Sequence, residues 1–369
     1  MKYNIIGLLW CMLYVSSSYA QYFVDVFGAS DVEQKRLLSS FTQRVIALEK
    51  SKYALIMQHP KNLDKIAKPL YLKNKQLLED IKKDGNFLYA DIETVYYPDL
   101  DKYFSTIEVI NKQDAQRSPY VNMHEAKSGI ATQPTQKSVV KNEVSNNQSA
   151  DDLITKMQKF SDETTKLILH HKIAVSMNLH DCPVYHCVVG FDHPKLKPYL
   201  EIFNHGVQQE KDLIIKTLQQ DPIAERRAAA AFLVGHFPDP HAIITTLLPY
   251  VCDKDAGVRN NVLRVLGTTL QKSQITDLDP LPFLQLLYSP YVTDRNKSLL
   301  ILFSLADASK VQHTIIKYGE QILLENLALK QPNNHIFAYK ILQKISHQSL
   351  GEYDLDAWHR WFKHAQAYT

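Results

Sequence analysis

The sequence predicts an all-α protein whose C-terminal half is an α-solenoid of stacked helical hairpins, preceded by a separate helical N-terminal unit. The first observation is a segment that returns every 32 to 36 residues between residues 195 and 369. The second is that apolar side chains within each copy recur at the spacing of one helix face. A repeat of this length is typical of arrays in which neighbouring helix pairs bury each other's apolar faces.

An aspartate followed by five residues and then an arginine marks the successive copies. Asp221 and Arg227 in the first copy match Asp253 and Arg259 in the second, 32 residues further on. A third copy keeps the arginine as Arg295, which lies 36 residues beyond its counterpart. The regular return of these charged residues predicts that they perform the same task in each copy.

This pattern resembles the HEAT-repeat family, in the form of an exported HEAT-repeat protein of bacterial type. The resemblance extends over about residues 195–365, although the fourth copy at 331–346 lacks the arginine. It implies that the aspartates and arginines are structural and form a ladder between adjacent repeats. Ser289 replaces the aspartate of the third copy, which weakens one rung. A functional alternative is an arginine row on the inner face that receives acidic or phosphorylated groups.

The N-terminal unit, residues 21–110, is predicted to begin with a helical hairpin. Ser30 and Glu33 have the spacing of a capping box, in which each side chain satisfies a free amide at a helix start. Apolar residues then continue at helical spacing to Gly85, with an interruption at Pro60. The aromatic-rich segment that follows suits either a short strand or a helix.

A flexible polar linker is predicted at residues 111–148. Gln, Lys, Ser, Asn and Thr dominate there, and such side chains bury too little apolar surface to offset the entropy of ordering the chain. Residues 149–194 are predicted to contain a helix and a segment rich in Cys and His that leads into the array at 195–369.

The first 20 residues have the features of a signal peptide. Lys2 supplies a positive charge, about 11 apolar residues follow, and Ser18-Tyr19-Ala20 fits the rule for cleavage after small residues. About 11 apolar residues are too few for a membrane span, which needs about 20. We therefore expect cleavage near Ala20 and a protein located in a periplasm or outside the cell, where disulfides persist.

Side chains capable of chemistry concentrate in HDCPVYHCVVGFDHPKLKPY, residues 180–199. Cys182 and Cys187 are predicted to form a disulfide, because the intervening residues can turn the chain back on itself. One alternative is a metal site formed by these two cysteines with His186 and either His180 or His193. Redox or nucleophilic chemistry at one cysteine is a third possibility, which requires a lowered thiol pKa and an oriented base.

The function predicted from the sequence is a non-enzymatic interaction scaffold without a cofactor. The formal net charge of +3 is too small for a nucleic-acid binder, and motifs for phosphate-binding loops, serine hydrolases and zinc proteases do not occur. We expect a protein or peptide partner on the concave face, no nucleic acid and no membrane span. Cys252 is expected to remain a free, buried thiol. The oligomeric state stays open.

Overall fold

The structure is a computed structural model that describes most of the chain after the predicted signal peptide. The described residues are 21–57, 63–97, 100–120, 152–169, 172–173, 182–187 and 191–368. They form fourteen α-helices and one sheet of three strands. The predicted signal peptide at 1–20 and most of the predicted linker, at 121–148, lie outside them.

The N-terminal unit combines a helical hairpin with a sheet. Its elements are β1 (Gln21–Phe27), α1 (Asp31–Met57), α2 (Leu63–Gly85), β2 (Tyr89–Tyr97) and β3 (Lys102–Ile110). Strand β3 is central, parallel to β1 and antiparallel to β2. The structure contains the predicted hairpin. The sequence left strand or helix open for the segment that forms β2 and β3, and it did not predict β1, so the unit is not all-helical.

The sequence did not decide between strand and helix because both faces of the sheet are covered. Strand β3 is buried along almost its whole length, from Tyr103 to Ile110. Strands covered on both faces read as runs without a clean alternation of apolar and polar residues. Short runs of this kind cannot be distinguished from buried helix by periodicity alone.

One face of the sheet packs against α1 and α2. Leu37 of α1, Ile81 of α2 and Ile107 of β3 have no exposed surface and belong to one apolar cluster. The capping box is present at the start of α1, where the Ser30 backbone N–H donates to the Glu33 carboxylate at 2.9 Å. The unit thus has a core of its own.

The helical array follows in the chain. Its helices are α3 (Leu153–Leu169), α4 (Lys197–Gln209), α5 (Lys211–Gln220), α6 (Ala224–Val234), α7 (Pro240–Leu247), α8 (Ala256–Ser273), α9 (Leu281–Leu286), α10 (Val292–Leu305), α11 (Ser309–Tyr318), α12 (Glu320–Ala328), α13 (Pro332–Ser346) and α14 (Leu355–Gln366). Helices α6, α8, α10 and α13, here named the stacked helices, pack side by side in that order. Each also packs against the helix that precedes it in the chain.

Neighbouring stacked helices run in the same direction. Arg259 near the start of α8 contacts Asp294 near the start of α10. One to two turns further along, a Cβ at Gly267 would lie 3.4 Å from Leu300 and 3.5 Å from Ile301. Helix α14 packs against α11 and α12 at the end of the chain and buries Trp358 completely.

The second face of the sheet packs against the array, so the N-terminal unit is not separate from it. Phe27 and Ile110 from the sheet join the main apolar cluster of the array. The first residues of the predicted linker are also part of this contact. Arg117 forms ion pairs with Asp114 and Glu325, which differs from the flexible linker predicted for this position.

None of the helices in the described part of the chain combines the length and the apolar character that crossing a bilayer demands.

Candidate functional site

The predicted ladder residues lie at the starts of the stacked helices. The Nη1 group of Arg227 donates to the Asp221 carbonyl at 3.0 Å and so fixes the turn before α6. Its Nε and Nη2 groups donate to the two carboxylate oxygens of Asp253 at 3.1 and 2.9 Å. This bidentate contact links α6 to the turn that precedes α8.

Arg259 repeats the arrangement one helix further on. Its Nη1 group donates to the Asp253 carbonyl at 2.9 Å, and its Nη2 group donates to Asp294 of α10 at 2.8 Å. Ser289, which replaces the repeat aspartate, donates its hydroxyl to the same Asp294 carboxylate at 2.7 Å. The acidic group of this rung is therefore present, but it is supplied by Asp294, five positions after Ser289.

Arg295 completes the series with a carboxylate from outside the array. Its Nη1 group donates to the Ser289 carbonyl at 2.7 Å, and its guanidinium binds both oxygens of Glu108 on β3 at 2.6 and 2.9 Å. The guanidinium carbon lies 4.0 Å from the centre of the Phe27 ring. The sheet thus supplies the acidic group for the last arginine.

These contacts bear on the hypothesis that the arginine row receives a ligand. The side chains of Arg259 and Arg295 have no exposed surface, and that of Arg227 is 7% exposed. Their Nη groups donate to carbonyls and carboxylates of the chain itself. A ligand could reach these guanidinium groups only by displacing those partners.

Two further sheet carboxylates meet the starts of stacked helices. Glu93 accepts the Val292 N–H at the start of α10 at 2.9 Å. Asp25 accepts the Lys330 N–H, just before α13, at 2.7 Å. Helix starts have free N–H groups and a partial positive charge, which favour carboxylates. Burial, with the charge of Glu108 as a second cause, raises the pKa of Glu93 to about 8.

The cysteine and histidine segment forms a short loop against the stacked helices. Cys182 and Cys187 are joined in a disulfide, and residues 182–187 are named the disulfide loop. Lys272 near the end of α8 donates to the carbonyl of Cys182 at 2.8 Å and to that of Val184. The loop is therefore held on α8 by a charged side chain as well as by packing.

His186 of this loop is a buried packing group. It is 4% exposed, stacks on Phe232 of α6 with ring centres 5.3 Å apart, and its Nδ1 lies 3.2 Å from the Thr268 hydroxyl. Burial, followed by the charges of Arg264 and other basic groups, places the pKa of His186 well below its ordinary value. The imidazole is therefore neutral at physiological pH.

The alternative metal site is not assembled in the described residues. The sulfur atoms of Cys182 and Cys187 are bonded to each other, and His193 accepts the Lys195 N–H at 3.3 Å. Within those residues, no group of three or more His, Cys, Asp or Glu side chains could hold a metal ion. Cys252 is a free thiol as predicted, but it is exposed and not buried.

A cavity of about 610 Å³ lies beside the disulfide loop. Val184 and Tyr185 of the loop form one wall, and Asn204 and Gln208 of α4 form another. His236 also lines the cavity, and its Nδ1 is 2.8 Å from the side-chain oxygen of Asn204. The cavity is open and is lined by apolar and amide groups.

The side of the stacked helices that remains partly exposed is named the open face. It is formed by Asn260, Arg264, Lys297, Leu300, Phe337 and Lys340. Helices α8, α10 and α13 contain a single acidic residue among them, Asp294, which is fully buried in the ladder. The open face of these helices is therefore neutral or basic.

Comparison with known proteins adds no relative. No family model, no curated protein and no solved structure matches this chain. The candidate site is therefore defined by the geometry of the open face and of the disulfide loop alone.

Sequence reasoning missed the charge of the open face because it followed the residues that repeat. Arg264 and Lys297 do not occupy matching positions in their copies, since they follow the ladder arginines by different intervals. The absence of acidic residues from three helices was nevertheless visible in the sequence. It could have been found by counting charges helix by helix.

Proposed function

We propose that this protein is a non-enzymatic scaffold, in which a HEAT-like helical array binds a protein or peptide partner along the open face. One observation carries the proposal. The side chains of this face cross three neighbouring helices, remain partly exposed, and are not used by the ladder that holds those helices together. Extended helical arrays commonly bind partners along such surfaces.

The disulfide supports the proposed location of the protein. A bond between Cys182 and Cys187 is compatible with an oxidising environment, as in a periplasm or outside the cell. Together with the predicted signal peptide, this supports export of the chain and a partner in the same compartment.

Site-directed photocrosslinking in the producing cell tests this proposal. A photoreactive amino acid replaces Lys340, which is exposed on the open face, and in a control chain it replaces Lys310, which is exposed on α11. Crosslinking of one and the same protein from position 340, but not from 310, would support a scaffold that binds along this face. Equal crosslinking from both positions, or none from either, would refute it.

A further inference from the structure

Arg264 and Lys297 lie next to each other on the open face. Helices α8 and α10 run side by side and approach closely where Gly267 meets Leu300. Arg264 precedes Gly267 by three residues and Lys297 precedes Leu300 by three, so each lies about one turn before the contact. The two cationic side chains therefore start from adjacent positions on neighbouring helices.

These two cations differ from the other basic side chains of α8 and α10. Arg259 and Arg295 bind carboxylates, and Lys272 binds carbonyl oxygens of the disulfide loop. Within the described residues, Arg264 and Lys297 form no ion pair and their side chains donate no hydrogen bond. They are charged groups for which the fold provides no partner there.

Their surroundings make the lack of a partner costly. Both side chains are half-buried, and burial lowers the pKa of Arg264. Burial and the neighbouring charge of Arg264 lower the pKa of Lys297 to about 7, although Asp294 and Glu93 offset part of this effect. A desolvated cation without a counter-charge destabilises a fold. Residues that lower the stability of the fold without forming a stabilising contact are typical of binding sites.

The chemistry of the site indicates an anionic ligand. A guanidinium binds a carboxylate through two parallel hydrogen bonds, and an ammonium group adds a point charge beside it. We propose that Arg264 and Lys297 bind carboxylate groups of an acidic segment of the partner polypeptide, which lies across the open face. This inference rests on the proposed function and specifies the chemistry of its partner.

A polypeptide suits this face better than a nucleic acid does. Leu300 lies about one turn after Lys297 on α10, and Phe337 of α13 packs against Phe303 of α10 with ring centres 6.1 Å apart. Both offer apolar contact to the side chains between two acidic residues. Nucleic-acid binders instead need a dense basic footprint, and the net charge of this chain is only +3. Since α8, α10 and α13 contribute no exposed carboxylate, an acidic segment meets little repulsion from them.

Fluorescence anisotropy with a synthetic probe tests the inference on the full chain. The probe is a labelled peptide of alternating Glu and Leu, and its partner probe has Gln in place of every Glu. The variants are Arg264→Gln and Lys297→Gln, singly and together, with Lys310→Gln on α11 as the matched control. Each cation removed should weaken binding of the Glu peptide roughly tenfold or more, as expected for a charge-assisted hydrogen bond.

The same variants separate binding from folding. Because Arg264 and Lys297 lack partners in the described residues, their neutral variants should unfold at the same temperature as the unmodified chain or at a higher one. The Glu peptide should bind more tightly than the Gln peptide and lose affinity as salt increases. Weakened binding together with an unchanged melting temperature would support the inference.

Three results would overturn it. The first is equal binding of the Glu and Gln peptides, and the second is unchanged binding of the Glu peptide to the double variant. The third is displacement of the Glu peptide by inorganic phosphate at a concentration equal to that of the carboxylate groups of the peptide, which would indicate a general anion site. If any of these occurs while position 340 still crosslinks to one protein and position 310 does not, this inference fails and the scaffold proposal stands.

Discussion

The ion pair between Glu108 and Arg295 predicts a large and localised loss of stability. Replacing Glu108 with Gln keeps the shape of the side chain but removes its charge. Arg295 would then remain without a counter-charge, in a site where both side chains have no exposed surface. The perturbation therefore tests whether the sheet is held on the array by this buried pair.

The expected magnitude follows from burial. Removing one partner of a fully buried ion pair costs about 3–5 kcal/mol, because the remaining charge stays desolvated. The surface pair Glu163–Lys166 is a matched control, since its side chains are 42% and 58% exposed. Glu163→Gln should cost only about 0.3–0.5 kcal/mol. The two variants make the same chemical change and differ in burial.

Urea unfolding, followed by far-ultraviolet circular dichroism, measures both free energies. Limited proteolysis shows which part of the chain loses stability, because Glu108→Gln should expose cleavage sites in the N-terminal unit before the array is cleaved. A cost below about 1 kcal/mol, with the unit still protected, would refute the reasoning. Replacing both partners with apolar residues, as in Glu108→Leu with Arg295→Met, should recover much of the loss, since no unpaired charge then remains.

Four other changes have defined outcomes. Gly28→Ala should destabilise the chain by about 2 kcal/mol or more, because φ is +88° and a Cβ would lie 2.1 Å from the Val109 carbonyl oxygen. Gly267→Ala, where the nearest atom is 3.4 Å away, should be tolerated or gain up to about 1 kcal/mol by urea unfolding. Glu93→Gln should gain stability relative to the unmodified chain as the pH rises. Reducing the disulfide should lower the free energy of unfolding by about 2 kcal/mol. It should also raise the pKa of His186, measured by NMR titration, towards its ordinary value.

The sign of the Glu93 prediction follows from its pKa. Folding raises the pKa from 4.5 to about 8, so between these values the folded state binds more protons than the unfolded state. Stability of the unmodified chain then falls as the pH rises from about 5 to 8 and levels off above. The Gln variant lacks this contribution. If the melting temperatures of the unmodified chain and of Glu93→Gln change in parallel across this pH range, the raised pKa of Glu93 is contradicted. The variant Glu163→Gln, at an exposed glutamate, provides the control.

The sequence predicted the helical character of residues 195–369, because apolar side chains recur there at helical spacing. It predicted the sheet poorly, because this spacing says nothing about the strands. Asp221 and Arg227 return 32 residues later as Asp253 and Arg259, which made their shared position at helix starts foreseeable. The partner of Arg259 is Asp294, which does not occupy the repeat position of Ser289. The partner of Arg295 is Glu108, which is 187 residues away, and no local pattern connects the two.

The candidate site also has one part that the sequence could predict and one that it could not. The disulfide between Cys182 and Cys187 could be predicted, since both residues lie in one short segment of a chain for which the sequence predicts export. The open face could not, because it depends on which side of α8 and α10 the neighbouring helices leave uncovered. In the sequence, Arg264 cannot be distinguished from other arginines. It differs only once the structure shows that the other basic residues of its helix have partners.

The long separation between Glu108 and its partner Arg295 has a consequence for how the chain matures. The sheet is synthesised first, yet the arginine that neutralises its central carboxylate follows 187 residues later. At a synthesis rate of about 5–20 residues per second, this delay is on the order of 10–40 seconds. Throughout that time the second face of the sheet has no surface to pack against. A chaperone that shields this face during synthesis would thus act on the nascent chain, before the array exists.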